Sequence, residues 1–217
     1  MEVEPSLYAA DFSRLGDQIR ALLEAGARIF HFDVGDGHFV PPVTIGPVVL
    51  RSIAPLVHEA GGVLDCHLMV TDPAHHFEEI AESGGDSVTF HVEATDDPAG
   101  VAERARGHGL AVGVSFNPGT SPEEAAVFAE SAAAELVLCM SIWPGYSGQP
   151  FMPEAPDRIA RLRELVSCPI QVDGGVGEDT IGPAQDAGAS LFVAGSAIFA
   201  DSDPGAAYRR LAAAVAS

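Results

Sequence analysis

Eight short apolar runs, separated by stretches of helical period, divide a chain of 217 residues into repeating strand–helix units. The runs are Val3–Tyr8, Arg28–Asp33, Val63–Met69, Ser87–His91, Ala111–Phe116, Leu136–Ser141, Ile170–Asp173 and Leu191–Ala194. Helical stretches between them include Ser13–Ala25, Ala74–Ser83, Pro98–His108, Ser121–Ser131, Pro153–Val166 and Thr180–Ala187. Ser13, Ser121 and Asp179 stand where N-caps belong, and Gly26, Gly84 and Gly188 where helices stop. Three helix-to-strand turns share one small pattern, in Glu24–Ala27, Glu82–Gly85 and Asp186–Ala189. Eight alternations in a chain this short predict an α/β fold, a (β/α)8 TIM barrel forming a single domain over residues 1–217. An open doubly wound sheet is the competing architecture. The first strand–helix junction lacks its Gly-x-Gly-x-x-Gly signature.

Composition removes several function classes. The formal net charge is −20, which repels nucleic acid and anionic membranes, so neither is expected as a partner. All 11 basic residues are arginine. Without lysine there is no Schiff-base aldolase, no pyridoxal phosphate anchor and no Walker P-loop. Cys66, Cys139 and Cys168 have neither zinc-knuckle nor redox spacing, and the first two read as small buried side chains. No apolar run approaches the ~20 residues that span a bilayer. The first residues, Met1–Pro5, lack the basic and apolar regions of a signal peptide, so a cytoplasmic location is expected.

The chemistry gathers where strands end. On a strand, residues i and i+2 share a face, so His31 and Asp33 point one way while Phe30 and Phe32 point the other. His67 ends the third strand with Met69, and Asp173 ends the seventh. Barrel sites lie at the C-terminal ends of strands. One such residue alone reads as a partner in turn hydrogen bonds. Four at matching strand ends favour convergence on one divalent metal ion per subunit. Two His and two Asp suit zinc first, with iron, manganese or cobalt also compatible.

Glycines collect in three late loops: Pro144–Gln149, Gly174–Gly175, and Gly195–Ser196, which opens a short helix over Ala197–Phe199. Small residues let backbone N–H groups approach an anion, and a phosphate site after strands seven and eight recurs in such barrels. A metal at one end, a phosphate at the other and two carboxylates from separate strands suit proton removal beside a carbonyl and proton return to the opposite face. The product would be an epimer. Among the remaining histidines, His58, His75, His76 and His108 read as solvated, and His38 and His91 as supporting residues rather than ligands.

Eight motifs occur in order along the chain. They are Pro5-Ser-Leu-Tyr-Ala-Ala-Asp-Phe12, His31-Phe-Asp-Val-Gly-Asp-Gly-His-Phe-Val-Pro41, Asp65-Cys-His-Leu-Met-Val70, Phe90-His-Val-Glu93, Asn117-Pro-Gly-Thr120, Met140-Ser-Ile-Trp-Pro-Gly-Tyr-Ser-Gly-Gln149, Val172-Asp-Gly-Gly-Val176 and Ala194-Gly-Ser-Ala-Ile-Phe199. Together they resemble the ribulose-phosphate 3-epimerase family. The resemblance implies a metal-dependent barrel interconverting ribulose 5-phosphate and xylulose 5-phosphate, and a homo-oligomer. Carried onto this chain, it makes His31, Asp33, His67 and Asp173 the metal ligands, and Asp33 and Asp173 also the acid/base pair. Ser6 and His67 would touch substrate, and Gly145, Tyr146, Ser147, Gly148, Gly174, Gly175, Gly195 and Ser196 would hold a small phosphorylated keto-sugar.

Four positions depart from the family pattern: Gly35, where Met is usual, Pro42, Trp143 and Ser147. They leave the exact sugar open, with allulose 6-phosphate as the nearest alternative if the missing Met side chain makes room for a carbon. A non-catalytic sugar-phosphate-binding barrel is the reading from another class, and the two opposed carboxylates argue against it.

Overall fold

A computed structural model describes residues 1–215; the last two positions of the expected 1–217 domain lie outside the described residues. The strands are β1 (Glu2–Pro5), β2 (Ile29–Gly35), β3 (Val63–Met69), β4 (Ser87–His91), β5 (Ala111–Phe116), β6 (Leu136–Met140), β7 (Ile170–Asp173) and β8 (Leu191–Ala194). The helices are α1 (Leu15–Ala25), α2 (Pro47–Glu59), α3 (Phe77–Glu82), α4 (Pro98–Gly107), α5 (Pro122–Ala132), α6 (Ala155–Leu165), α7 (Glu178–Asp186), α8 (Ser196–Phe199) and α9 (Pro204–Val215). Neighbouring strands pair in parallel in the order β1-β8-β7-β6-β5-β4-β3-β2. A single parallel bridge between Ser6 and His31 joins the two edges. The fold is the expected TIM barrel, and its seam lies at the residues that open the candidate site.

Strands β3, β4, β5, β7 and β8 have the predicted bounds. β1 is shorter than predicted. After Pro5 the chain enters a 3-10 turn at Leu7–Ala9, which places Leu7 in the core and returns the Ala10 N–H to the Leu7 carbonyl (3.2 Å). Two predicted caps move. Asp11, not Ser13, caps the turn before α1, accepting from the Ser13 N–H (3.0 Å) and hydroxyl (2.6 Å). Gly177, not Asp179, precedes α7, and its N–H donates to Thr180 Oγ1 (2.9 Å). Ser121 does cap α5, in a reciprocal box with Glu124. Helices α2 and α9 lie outside the predicted set. The β-branched opening of α2 and its internal Pro55 argue locally against a helix. The buried face of α9 includes the small residues Gly205 and Ala207, which give little periodic signal.

Alternation along each strand builds two interiors. Phe30, Phe32, Leu64, Cys66, Leu68, Val88 and Phe90 belong to the main core between barrel wall and helices, all fully buried. Each large side chain there stabilises the fold by about 1.5–3 kcal/mol. The alternate positions hold His31, Asp33, Asp65, His67, Thr89 and His91, also buried. A separate small apolar cluster, Leu138, Met140 and Ile142, belongs to the β6 side.

The barrel's polar interior is hydrogen-bonded across strands. Gln171 on β7 donates to both Glu4 on β1 and Asp65 on β3, the latter at 2.9 Å. Ser87 on β4 donates to the other Asp65 oxygen (2.6 Å). Glu4 and Asp65 are both buried, with carboxylate oxygens within 4.8 Å of each other, so one carboxyl is favoured in its neutral form. Burial, and then the Asp65 charge, push Glu4 from its ordinary 4.5 to about 8. Between those pH values the native state keeps a proton that the unfolded chain has lost. Stability therefore falls as pH rises through that window, by ~1.4 kcal/mol per pH unit from this group. Glu4→Gln mimics the neutral acid. We expect it to match the wild type in chemical denaturation near pH 5 and to exceed it near pH 9; parallel pH profiles would show that Glu4 is ionised throughout.

Candidate active site

At the mouth of the barrel, four donor atoms from β2, β3 and β7 come together. His31, Asp33, His67 and Asp173 each offer one, all within 4.8 Å of one another. His31 Nε2 and His67 Nδ1 stand 3.3 and 3.2 Å from Asp33 Oδ1, and His67 Nδ1 stands 3.9 Å from Asp173 Oδ2. Donors bound at about 2.0–2.2 Å to one ion stand about 3–3.5 Å apart, so the set is close to coordination spacing. His31 Nε2 is buried with no hydrogen-bond partner among the described residues, so no bond within the chain competes with a cation for it. The residues therefore fit a divalent ion held by two imidazoles and two carboxylates.

Partners on the far side aim these groups. Asp65 Oδ2 lies 3.2 Å from His31 Nδ1, leaving Nε2 to face the cluster. Ser6 donates its hydroxyl to Asp33 Oδ2 (2.7 Å), while Asp33 Oδ1 faces the histidines. His67 turns Nε2 toward His91 Nε2 (2.8 Å), and His91 Nδ1 lies 3.2 Å from Glu93 Oε2.

The two carboxylates differ in protonation. Burial alone would raise Asp33, but the adjacent His31 and His67 outweigh it and hold the carboxyl well below the ordinary range. Asp173 is raised to about 7, first by burial and then by the Asp33 charge. Burial disfavours a charged His31, yet Asp33 and Asp65 keep its proton well above the ordinary value. Burial lowers His67. Without a metal, the site is thus an ionised Asp33 beside a protonated His31, facing an Asp173 that ionises near neutrality.

The cleft above this cluster is lined by Ser6, Asp33, Met69, Met140, Asp173 and the late glycine loops.

Comparisons of sequence carry this geometry to a family. The pattern of the Ribulose-phosphate 3 epimerase family matches residues 2–199. The chain belongs to the ribulose-phosphate 3-epimerase family. It is 40% identical over 207 residues to the "Ribulose-phosphate 3-epimerase, cytoplasmic isoform" of Oryza sativa subsp. japonica, covering 94% of this chain and 90% of the relative. It is 41% identical over 214 residues to the ribulose-phosphate 3-epimerase of Mycobacterium bovis, covering 96% and 90%. It is therefore an epimerase, of the isomerase class. Among solved structures, a 3-hexulose-6-phosphate synthase superposes with a TM-score of 0.77 at 22% identity, covering 99% of this chain and 100% of the other. A Streptococcus mutans chain named KGPDC, in complex with D-R5P, gives 0.77 at 14% identity, covering 99% and 96%. Those two likenesses concern the fold. No helix among the described residues is long and apolar enough to cross a membrane.

All the substrate-contacting positions expected of this epimerase family are gathered at the cluster or cleft. Ser6, Gly145, Tyr146, Ser147, Gly148, Gly174, Gly175, Gly195 and Ser196 line the cleft, and His67 lies beneath it. Gly174 and Gly175 also have an internal reason to be glycine. Both have positive φ (117° and 65°), and a Cβ would stand 2.3 Å from Ile142 Cγ1 and from the Phe151 backbone N, respectively.

The departures from the family pattern resolve differently. A Cβ on Gly35 would meet Thr44 and Val40 at 3.0 Å and the Pro42 carbonyl at 3.1 Å, so the space beside Gly35 is filled rather than opened for a longer sugar. Trp143 is 53% exposed and lies outside the cleft lining, against Gly119. Pro42 packs against Gly145, and of the four departures only Ser147 lines the cleft.

Sequence patterning missed Glu4, Asp65 and Gln171 as a network. The signal for Asp65 was present, since it lies two residues before His67 and shares its face.

The protonation pattern has a direct consequence for metal uptake. Coordination requires Asp173 ionised and His31 Nε2 bare, so binding releases protons when pH is below their folded values. Calorimetry of the metal-free chain with zinc, in buffers of different ionisation enthalpy, should find affinity rising from pH 6 to 8. Proton release should be larger at pH 6. Equal affinity and no proton release would mean that these groups do not hold the ion.

Proposed function

We propose that the chain is a metal-dependent ribulose 5-phosphate/xylulose 5-phosphate 3-epimerase working by two-base proton transfer at C3. The observation that carries this reading is the pair Asp33 and Asp173. They reach one cluster from β2 and β7, strands separated around the ring by β1 and β8, so they flank a ligand above it from two sides. One takes the C3 proton from its face of the sugar while the other, protonated on the oxygen turned away from the ion, returns one to the opposite face, and the reverse reaction exchanges their roles. Ser6 holds Asp33 Oδ2 and fixes the direction from which that carboxylate acts. Met69 and Met140 supply an apolar lining that keeps water from the reacting carbon. A divalent ion held by His31, Asp33, His67 and Asp173 would supply the Lewis acidity that stabilises the enediolate charge. Zinc leads on donor type, with iron, manganese and cobalt compatible.

No lysine or arginine lines the cleft, so a phosphate there is held by backbone N–H groups of the loops at Gly145–Gly148, Gly174–Gly175 and Gly195–Ser196. The pentulose is favoured over a longer sugar because Gly35 opens no additional space. The direct test is an epimerase assay on ribulose 5-phosphate and allulose 6-phosphate with metal analysis of the same sample. A higher kcat/KM for the longer sugar would reassign the substrate.

Two variants test the site in detail. At Gly195 a Cβ would stand 3.1 Å from Ala9 Cβ and 3.5 Å from Ser147 Oγ, at the cleft wall. Gly195→Val should raise KM strongly with a smaller effect on kcat; an unchanged KM would put the phosphate elsewhere. Asp33→Asn and Asp173→Asn should each slow epimerisation by ~10²–10⁴-fold, with metal perturbation added. The remaining carboxylate should still exchange the C3 proton of the epimer it faces. Each variant should therefore wash solvent deuterium into one epimer, and the two variants into different epimers. Exchange into the same epimer by both would refute the two-base assignment.

A further inference from the structure

Behind His67 a chain of hydrogen bonds leads away from the cleft to a carboxylate that touches neither the cluster nor the cleft lining. His67 Nε2 meets His91 Nε2 at 2.8 Å, with ring centroids 5.0 Å apart and planes tilted by 26°. That is two imidazoles meeting nitrogen to nitrogen, nearly in one plane. His91 is fully buried and packs under Phe39, centroids 4.8 Å apart, so no bulk water competes for its nitrogens. His91 Nδ1 meets Glu93 Oε2 at 3.2 Å. The other oxygen, Oε1, accepts from the Asn117 backbone N–H (2.9 Å) and from the Thr120 hydroxyl.

We infer that Glu93 is a positioning residue for the metal centre, fixing through His91 which nitrogen of His67 carries the proton. The inference rests on His67 being a metal ligand. Glu93 receives hydrogen bonds on both oxygens and offers none, so it is an acceptor only. His91 must then place its proton on Nδ1, and its Nε2 is left as an acceptor. His67 must supply the proton between the two rings and therefore carries it on Nε2. Its Nδ1, 3.2 Å from Asp33 Oδ1, is left as a bare lone pair directed into the cluster. Asp33 acting alone would favour the opposite tautomer, with a proton on Nδ1 and no ligand there. The relay from Glu93 settles this competition in favour of the form that binds metal. Its far end accepts from the loop after β5, from the Asn117 backbone N–H, which no side-chain substitution removes, and from the Thr120 hydroxyl. Burial would raise the Glu93 acid, but its three donors bring it down to about 2.

Glu93→Gln tests the direction of the chain. A Gln amide can present either its oxygen or its NH2 to His91, so the one-way constraint is lost with little change in volume. Thr120→Val is the control. It cuts the loop's side-chain tie to Glu93 but leaves the carboxylate facing His91. Affinity is read from the visible absorption of cobalt(II) titrated into each metal-free protein against a chelator. The His67 tautomer is read from the imidazole ¹⁵N shifts of the zinc-loaded proteins, and thermal melting is recorded in parallel. Glu93→Gln should weaken cobalt binding by ~10–100-fold, the range for loss of such supporting contacts. It should also blur the Nε2–H signature of His67. Thr120→Val should change affinity by less than about twofold whatever its effect on melting. The inference fails if Glu93→Gln binds cobalt as the wild type does. It also fails if Thr120→Val reproduces the loss, because Glu93 would then only brace a loop. Should the wild type bind no cobalt, or His67→Ala bind it as tightly as the wild type, the reading of His67 as a ligand falls and this inference with it. A wild type that binds, beside a His67→Ala that does not, leaves the Glu93 comparison to decide this inference alone.

Discussion

Four ionisable side chains within 4.8 Å of one another, at the end of an otherwise closed barrel, cannot all keep their ordinary protonation states. Two carboxylates so close repel, and burial makes each charge more costly. The chain resolves this by unequal treatment. Asp33 accepts the Ser6 hydroxyl, lies beside both imidazoles, and is kept ionised chiefly by the His31 charge. Asp173 has its own backbone contact and little else, and retains a proton near neutrality. A divalent cation would remove the repulsion outright. The same crowding that is unfavourable in the empty cluster would then favour binding of the ion.

The polar interior beneath the site follows from that demand. A ligand histidine needs its second nitrogen occupied, or it will rotate and take either tautomer. For His31 the partner is Asp65, which in turn requires donors from Gln171 and Ser87. Gln171 then reaches Glu4, which is best accommodated as a neutral acid. For His67 the partner is an imidazole, and the carboxylate is one residue further out at Glu93. The series behind His31 ends at Glu4, and the one behind His67 ends at Glu93 and its loop donors. The barrel therefore has an apolar lining on the β6 side and a hydrogen-bonded one around β1, β2, β3 and β4.

The strands and the four clustered residues were legible because both depend on period. Alternation of two along Ile29–Gly35 puts His31 and Asp33 on one face, and a polar residue at an apolar strand's end is visible without knowing its neighbours. What was not legible depends on register. Asp33 pairs with His67, and His31 with Asp65, only because β2 and β3 align at those rows; a slip of one residue would face each side chain the other way. A single strand carries no record of its partner's offset. The contacts of Gln171 with Glu4 and Asp65 span 167 and 106 residues. The space beside Gly35 is a related case, since only the return of the chain through Val40–Thr44 fills it.

Surface charge and site chemistry act at different ranges here. The formal charge of −20 sets a field that opposes an anionic sugar phosphate at a distance, and no cationic side chain lines the cleft to offset it. The nearby Arg158 is engaged by the carbonyls of Met140 (2.7 Å) and Asn117 (2.8 Å) and by the face of Phe116. At physiological salt, exposed charges are screened beyond ~8 Å, so most of that acidic surface acts weakly on a ligand already in the cleft. Backbone N–H groups at hydrogen-bond distance are not screened in this way, and they need no lysine. A strongly acidic chain can therefore hold an anion, provided its contacts are short, neutral and fixed by the turns that carry them. Gly174 and Gly175, confined by Ile142 and Phe151, supply such a turn at the cleft wall.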